Sequence, residues 1–134
     1  VIKSNGGDPS VREAVANEWL WTELWSTNPE KSGQYYKDLL GANIEEKTID
    51  ERTYRVIDKD SRRCAGIIQN PAESSRSHWL QYIKVNDIQS ALQKAKDAGA
   101  KVLIEPNEKI RKGSVAVLMD PTGAPFAIQL WPYN

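Results

Sequence analysis

One pattern, occurring twice in the 134-residue chain, constrains its fold more than any single residue does. A strand-like run at 19–25 leads into Asn28, Pro29, a helical stretch and Gly41-Ala42; a second run at 80–85 leads into Asn86, another helical stretch and Gly99-Ala100. Asn28, Ser32, Gly41 and Ala42 therefore align with Asn86, Ser90, Gly99 and Ala100 at a constant spacing of 58 residues. Long-period repetition can build a solenoid, but a solenoid needs three or more units to bury a continuous core. Two copies point instead to a two-fold pseudosymmetric domain whose halves share one core.

Each copy reads as strand, helix and three further strands. In 19–25, Leu20, Thr22 and Leu24 alternate with Trp19, Trp21, Glu23 and Trp25, which gives a strand with two unlike faces. The aliphatic face is expected to pack on helices, leaving three tryptophans and a carboxylate on the other. Asn28 can accept from the free amides of the next turn and Pro29 suits the first helical position, while Gly41 supplies a left-handed cap. The expected buried stripe of that helix is Gly33, Tyr36, Leu39 and Leu40. Strands follow at 43–48, 52–57 and 64–69, with Asp58-Lys59-Asp60-Ser61 as a hairpin turn.

After a Ser- and Pro-containing connector at 70–78 the pattern restarts, with a strand at 79–85 and a helix at 87–98 whose apolar face is Ile88, Ala91, Leu92 and Ala95. Strands at 101–104, 114–119 and 125–131 complete it, with Asp120-Pro121-Thr122-Gly123 as the last turn; the charged segment 105–113 is expected to loop out. The modules are thus 19–69 and 78–131 within a folded unit of 19–134. Residues 1–18, with the turn-forming cluster Asn5-Gly6-Gly7-Asp8-Pro9, read as a tail or interdomain linker.

The 18 basic and 18 acidic side chains cancel, and there is no basic stripe with interleaved aromatics, so neither nucleic acid nor an anionic membrane is an expected partner. No apolar run approaches the roughly 20 residues of a membrane helix. The lone cysteine, Cys64, fits a reducing, cytoplasmic setting and reads as a small buried space-filler beside Ala65 and Gly66. Gly6-Gly7 falls in the tail and Gly41 and Gly99 cap helices, so no phosphate-cradling loop is present. Asp58-Lys59-Asp60 lacks the glycine and distal glutamate of a calcium loop.

Three stretches resemble the glyoxalase/bleomycin-resistance/dioxygenase superfamily, also called the vicinal oxygen chelate fold. They are Trp19-Leu-Trp-Thr-Glu-Leu with Asn28-Pro-Glu-Lys and Tyr35-Tyr36 to Leu40-Gly41; His78-Trp-Leu-Gln-Tyr with Val85-Asn-Asp; and Val117-Leu-Met-Asp-Pro-Thr-Gly-Ala-Pro-Phe-Ala. The resemblance implies an α+β fold: two βαβββ modules side by side, forming a cupped mixed sheet with helices outside and a ligand cavity inside. The chain is similar to a subgroup that carries two such domains in tandem. Its opening, Val1-Ile-Lys-Ser-Asn-Gly-Gly-Asp-Pro, resembles the last strand and linker of a preceding domain; an untethered tail is the alternative.

Enzymes of that superfamily typically hold a divalent metal with His, Gln or Glu side chains from the first and last strands of each module. The resemblance places those positions on Trp21, near Ile67, near Leu80 and on Ala127, none of which can ligate. A set displaced by two residues, Glu23, Gln69, His78 and Gln129, would keep a metal possible, since a strand shifted by two keeps its face. His78 is the single imidazole, so nucleophilic catalysis through Cys64 or a serine has one potential base.

The expected lining of the cup is therefore aromatic: Trp21, Glu23, Trp25, Tyr82 and Trp131. Such a surface suits a flat or elongated apolar ligand, and Glu23 among ring faces would favour a cationic group on it. The bland alternative is that these rings fill the cavity or a dimer interface. The sequence reading is thus a metal-free domain that binds a small organic molecule or pairs with itself or an upstream twin. Its alternative is a metal-dependent lyase, isomerase, transferase or dioxygenase.

Overall fold

The computed structural model describes residues 16–49, 51–71 and 76–131. Its elements are β1 (Trp19–Ser26), α1 (Pro29–Leu40), β2 (Asn43–Ile49), β3 (Arg52–Lys59), β4 (Arg62–Gln69), β5 (His78–Val85), α2 (Ile88–Asp97), β6 (Lys101–Ile104), β7 (Val115–Met119) and β8 (Pro125–Leu130). All eight strands join one mixed sheet in the order β2-β3-β4-β1-β5-β8-β7-β6. Each half reads outward as first, fourth, third and second strand of its module, so the duplication in the sequence is a duplication in space. The halves meet where β1 runs antiparallel to β5, while β1–β4 and β5–β8 are parallel.

Local chemistry sets the boundaries. The Asn28 side chain accepts from the Lys31 amide at 3.1 Å, Pro29 opens α1, and Gly41 ends it at φ 62°. In the second module the capping role passes to Asp87, one residue beyond Asn86, whose carboxylate accepts from Ser90 N at 3.0 Å. Asp60 and Ser61, both at positive φ, make the two-residue hairpin between β3 and β4. Asn17 and Glu18 already pair with Lys84 through backbone hydrogen bonds of 2.7 and 2.9 Å, so the ordered pairing begins just before 19; most of the expected tail lies outside the described residues.

The sheet buries both faces. Outside, Leu24, Ile57 and Ile67 pack under α1, and Val85, Ala116, Leu118 and Ile128 pack against Leu92 of α2. Complete burial of a leucine such as Leu118 contributes about 1.5–3 kcal/mol. The inner, concave face carries Trp25, Leu80, Tyr82, Val115, Val117 and Ala127.

Four expectations about packing are corrected. Leu39 and Leu40 are 61% and 42% exposed, because α1 turns Ser32, Gly33 and Tyr36 toward the sheet instead. Trp19 is exposed and Leu20 packs with the inner cluster, because the β1–β5 register slips between Trp19 and Trp21 and reverses the alternation there. Ile67 belongs to the helix side rather than the cup. Cys64 is exposed: it is the extra residue where Ile57 pairs with Ala65 and Asp58 with Arg63, and it precedes the first β1–β4 pair, Glu23 with Gly66. Among the described residues no helix is long and apolar enough to cross a membrane.

Candidate functional site

Three strands, β1, β3 and β5, and one loop bring side chains to the middle of the cup, and the centre is Glu23. Its side chain is fully buried, and both carboxylate oxygens are doubly engaged. Oε1 accepts from Tyr82 Oη at 2.6 Å and from Trp25 Nε1 at 3.0 Å. Oε2 accepts from Tyr54 Oη at 2.7 Å and from Arg111 Nη2 at 2.7 Å. Tyr54 in turn accepts from Trp21 Nε1 at 2.9 Å. The guanidinium carbon of Arg111 stands 5.7 Å from the centroid of the Tyr54 ring and 5.4 Å from that of Tyr82. A buried carboxylate is expensive to desolvate, and this one is matched by a cation, two phenols and an indole.

Gly66 makes room for the arrangement. It lies beside Glu23 in β4, where a Cβ would come within 2.1 Å of Tyr54 Oη and 3.1 Å of Trp21 Nε1. The tyrosine hydroxyl thus occupies the space that a side chain at position 66 would take.

Arg111 reaches the centre from 105–113, the segment expected merely to loop out. That loop is ordered: Asn107 Oδ1 accepts from Lys109 N at 2.8 Å, and Asn107 O accepts from Ile110 N and Gly113 N at 2.8 and 3.0 Å. Arg111 and Lys112 are held at φ 47° and 56°, a left-handed backbone that costs a non-glycine residue about 1–2 kcal/mol. Ser114 Oγ donates to Arg111 O at 2.6 Å, and Arg111 Nη1 makes a longer 3.4 Å contact with Gln129 Oε1.

The ionisation of the cluster follows from these contacts. Burial, the largest single influence, pushes the Glu23 carboxyl up, but Arg111 and the Tyr82 and Tyr54 hydroxyls together outweigh it and hold the group below the usual carboxylate range. Burial and the Glu23 charge push the phenols of Tyr54 and Tyr82 up. Burial works against the Arg111 cation, yet the facing Glu23 charge holds it above its ordinary value. The centre is therefore a carboxylate and guanidinium flanked by neutral phenols.

A cavity of about 660 Å³ opens beside the cluster, with Trp25, Ile68, Val115 and Val117 among its apolar walls. Among the described residues, Arg52, Arg55, Lys109 and Arg111 line it together with two carboxylates, Glu23 and Glu30. Of the expected cup residues, Trp21, Glu23, Trp25 and Tyr82 come together. Trp131 does not: it falls one residue past β8, is 45% exposed and is not part of the cavity wall. Tyr54 and Arg111 are the central residues that sequence reasoning missed. The cationic subsite expected on Glu23 is filled by the chain's own guanidinium.

These residues do not fit a divalent metal. The four acceptor positions of Glu23 are all taken by N–H or O–H donors, one of them a cation at 2.7 Å. The other members of the displaced set do not converge on it. Gln69 is exposed at the cavity rim, Gln129 faces Arg111, and the His78 ring packs at a 50° tilt against Trp25, centroids 5.7 Å apart, and lines a separate groove with Ser26, Tyr36 and Trp79. Among the described residues no three His, Cys, Asp or Glu side chains are grouped to hold an ion.

A family model described as "Glyoxalase/Bleomycin resistance protein/Dioxygenase superfamily" matches residues 19–128. Proteins named "Putative glyoxylase CFP32" in Mycobacterium bovis and Mycobacterium tuberculosis are 30% identical over 110 residues, which is 81% of this chain but 42% of theirs. The chain thus spans less than half the length of these curated relatives. Two solved structures share the fold: a hypothetical protein from Bacillus halodurans, 15% identical, TM-score 0.61, with 87% of this chain and 96% of that one covered, and Streptomyces coelicolor methylmalonyl-CoA epimerase with 2-nitronate-propionyl-CoA, 12% identical, TM-score 0.59, with 89% and 100% covered.

Proposed function

The chain belongs to the glyoxalase/bleomycin resistance protein/dioxygenase superfamily, and we propose that this member holds a small organic molecule in its cup without a divalent metal. The observation that carries the reading is the saturation of Glu23. The carboxylate best placed to grip an ion already accepts four hydrogen bonds, while a partly apolar cavity of about 660 Å³ lies open next to it. That volume is in the range of small-molecule sites. The CoA derivative in complex with the similarly folded epimerase is consistent with a fold that accommodates organic ligands.

The test has two arms. Equilibrium dialysis against nickel, zinc, manganese and iron is expected to leave the protein with far less than one equivalent of any of them. Titration with a panel of organic acids, amides and amines is expected to quench the emission of Trp25, which lines the cavity. Stoichiometric metal uptake that Glu23→Ala abolishes would instead support the metal-dependent enzyme, and emission indifferent to the whole panel would remove the binding role.

A second reading is favoured by exposed Trp19 and Trp131, 65% and 45% accessible, and by relatives more than twice as long as the matched region: the domain pairs with a copy of itself or an adjoining domain. Trp25 has no part in such a seam, being 5% exposed in the core. Light scattering of this chain tests pairing with itself, and a strict monomer at high concentration would end that form of the idea.

A further inference from the structure

The geometry points to Arg111 as the resident cation of the cup and to a small organic anion with an apolar body as its ligand. This inference rests on the metal-free binding role above and names its ligand class.

Arg111 has five N–H donors. One goes to Glu23 and one, at 3.4 Å, to Gln129. Its Nε makes no hydrogen bond in the described residues, and no buried side-chain nitrogen or oxygen there lacks a partner, so that donor is not sealed from solvent. The side chain is 18% accessible and forms part of the cavity wall. Glu23, the stacked faces of Tyr54 and Tyr82 and the braced 107–114 backbone fix the guanidinium in place, so an acceptor in the cavity meets preorganised donors with little ordering cost.

Among the described residues the remaining charged lining is mostly of the same sign, Glu30 being the exception. Arg52 on the first module and Lys109 on the second face the cavity, and neither side chain has a hydrogen-bond or ion-pair partner in the described residues. Arg55 is partly neutralised by Glu46 at 3.4 Å. Deeper in, Trp25, Ile68, Val115 and Val117 offer apolar contact. A carboxylate or similar oxyanion would accept from Arg111 while its hydrocarbon part lies on those walls. An ammonium ligand would meet a subsite already filled by Arg111.

The experiment uses three near-isosteric probes, phenylacetate, phenylacetamide and phenethylamine, read by tryptophan emission and calorimetry. Phenylacetate is expected to bind at least about tenfold more tightly than the amide, as charge-assisted pairing implies, and the amine more weakly still. Arg111→Met alone would strand the buried Glu23 charge, so the informative variant is Glu23→Gln/Arg111→Met, which removes both charges. It is expected to fold, as near-UV circular dichroism would show, and to bind phenylacetate no better than phenylacetamide. Equal affinities for the three probes in the wild-type protein, or an undiminished preference for phenylacetate in the folded double variant, would overturn the anion assignment and leave the binding role standing. Absence of binding by all three would remove both.

Discussion

Arg111 Nη2 lies 2.7 Å from Glu23 Oε2, joining a loop of the second module to the first strand of the first across 88 positions of sequence. This pair is the electrostatic centre of the cup, and most of what can be tested about the protein follows from it.

Removing one partner should be far worse than removing both. Arg111→Met leaves an unpaired carboxylate at a fully buried position, and denaturant unfolding is expected to show a loss of about 3–5 kcal/mol. Glu23→Gln/Arg111→Met should recover a large part of that loss. Additive single effects would mean that the two side chains do not interact.

The pair also sets the acid limb of the stability profile. Folding holds the Glu23 pKa below the unfolded glutamate value of about 4.3. Its contribution is therefore fully present above that pH and lost as pH falls through the folded value. Wild-type stability should drop below about pH 4.3 more steeply than that of Glu23→Gln/Arg111→Met, as urea midpoints between pH 7 and pH 2.5 would show. Parallel profiles would contradict the assignment.

At the alkaline end, Tyr82 faces both burial and the Glu23 charge, which push its phenol up. The folded-state pKa exceeds the unfolded value near about 10, so this contribution is present below pH 10 and is lost only as pH rises through the folded value. Tyrosinate absorbance between about pH 9 and 11 should be the same in Tyr82→Phe as in wild type. A smaller rise in the variant would show that Tyr82 ionises in the ordinary range.

Gly66→Ala tests the space that Tyr54 occupies. The new methyl would meet Tyr54 Oη at 2.1 Å, and that hydroxyl is held between Trp21 and Glu23. A destabilisation of about 1–3 kcal/mol is expected, partly relieved in Gly66→Ala/Tyr54→Leu. A neutral Gly66→Ala would mean that Tyr54 is free to leave.

Much of the fold was legible because its signals are local. The repeat, the caps at Asn28 and Gly41 and the alternation in β1 rest on residues within a turn or two of each other, and the strand and helix bounds come within about two residues of the expected ones. Glu23 and Tyr82 fell on the cup face for the same reason. Tyr54 was readable in principle, since strict alternation through β3 puts Arg52, Tyr54 and Val56 on one face. Arg111 was not. Its loop has no periodicity, its direction is set by two left-handed residues that no glycine announces, and its partner lies in the other module. The exposure of Cys64 and the turning of Trp19 out of the cup come from register shifts, which alternation alone cannot reveal.

The most direct measurement is anomalous diffraction at the nickel edge from crystals of the protein soaked in nickel chloride. Continuous density is expected for the Arg111 guanidinium against Glu23, with no anomalous peak in the cup. A peak about 2.0–2.2 Å from a Glu23 oxygen, with Arg111 displaced, would contradict that expectation.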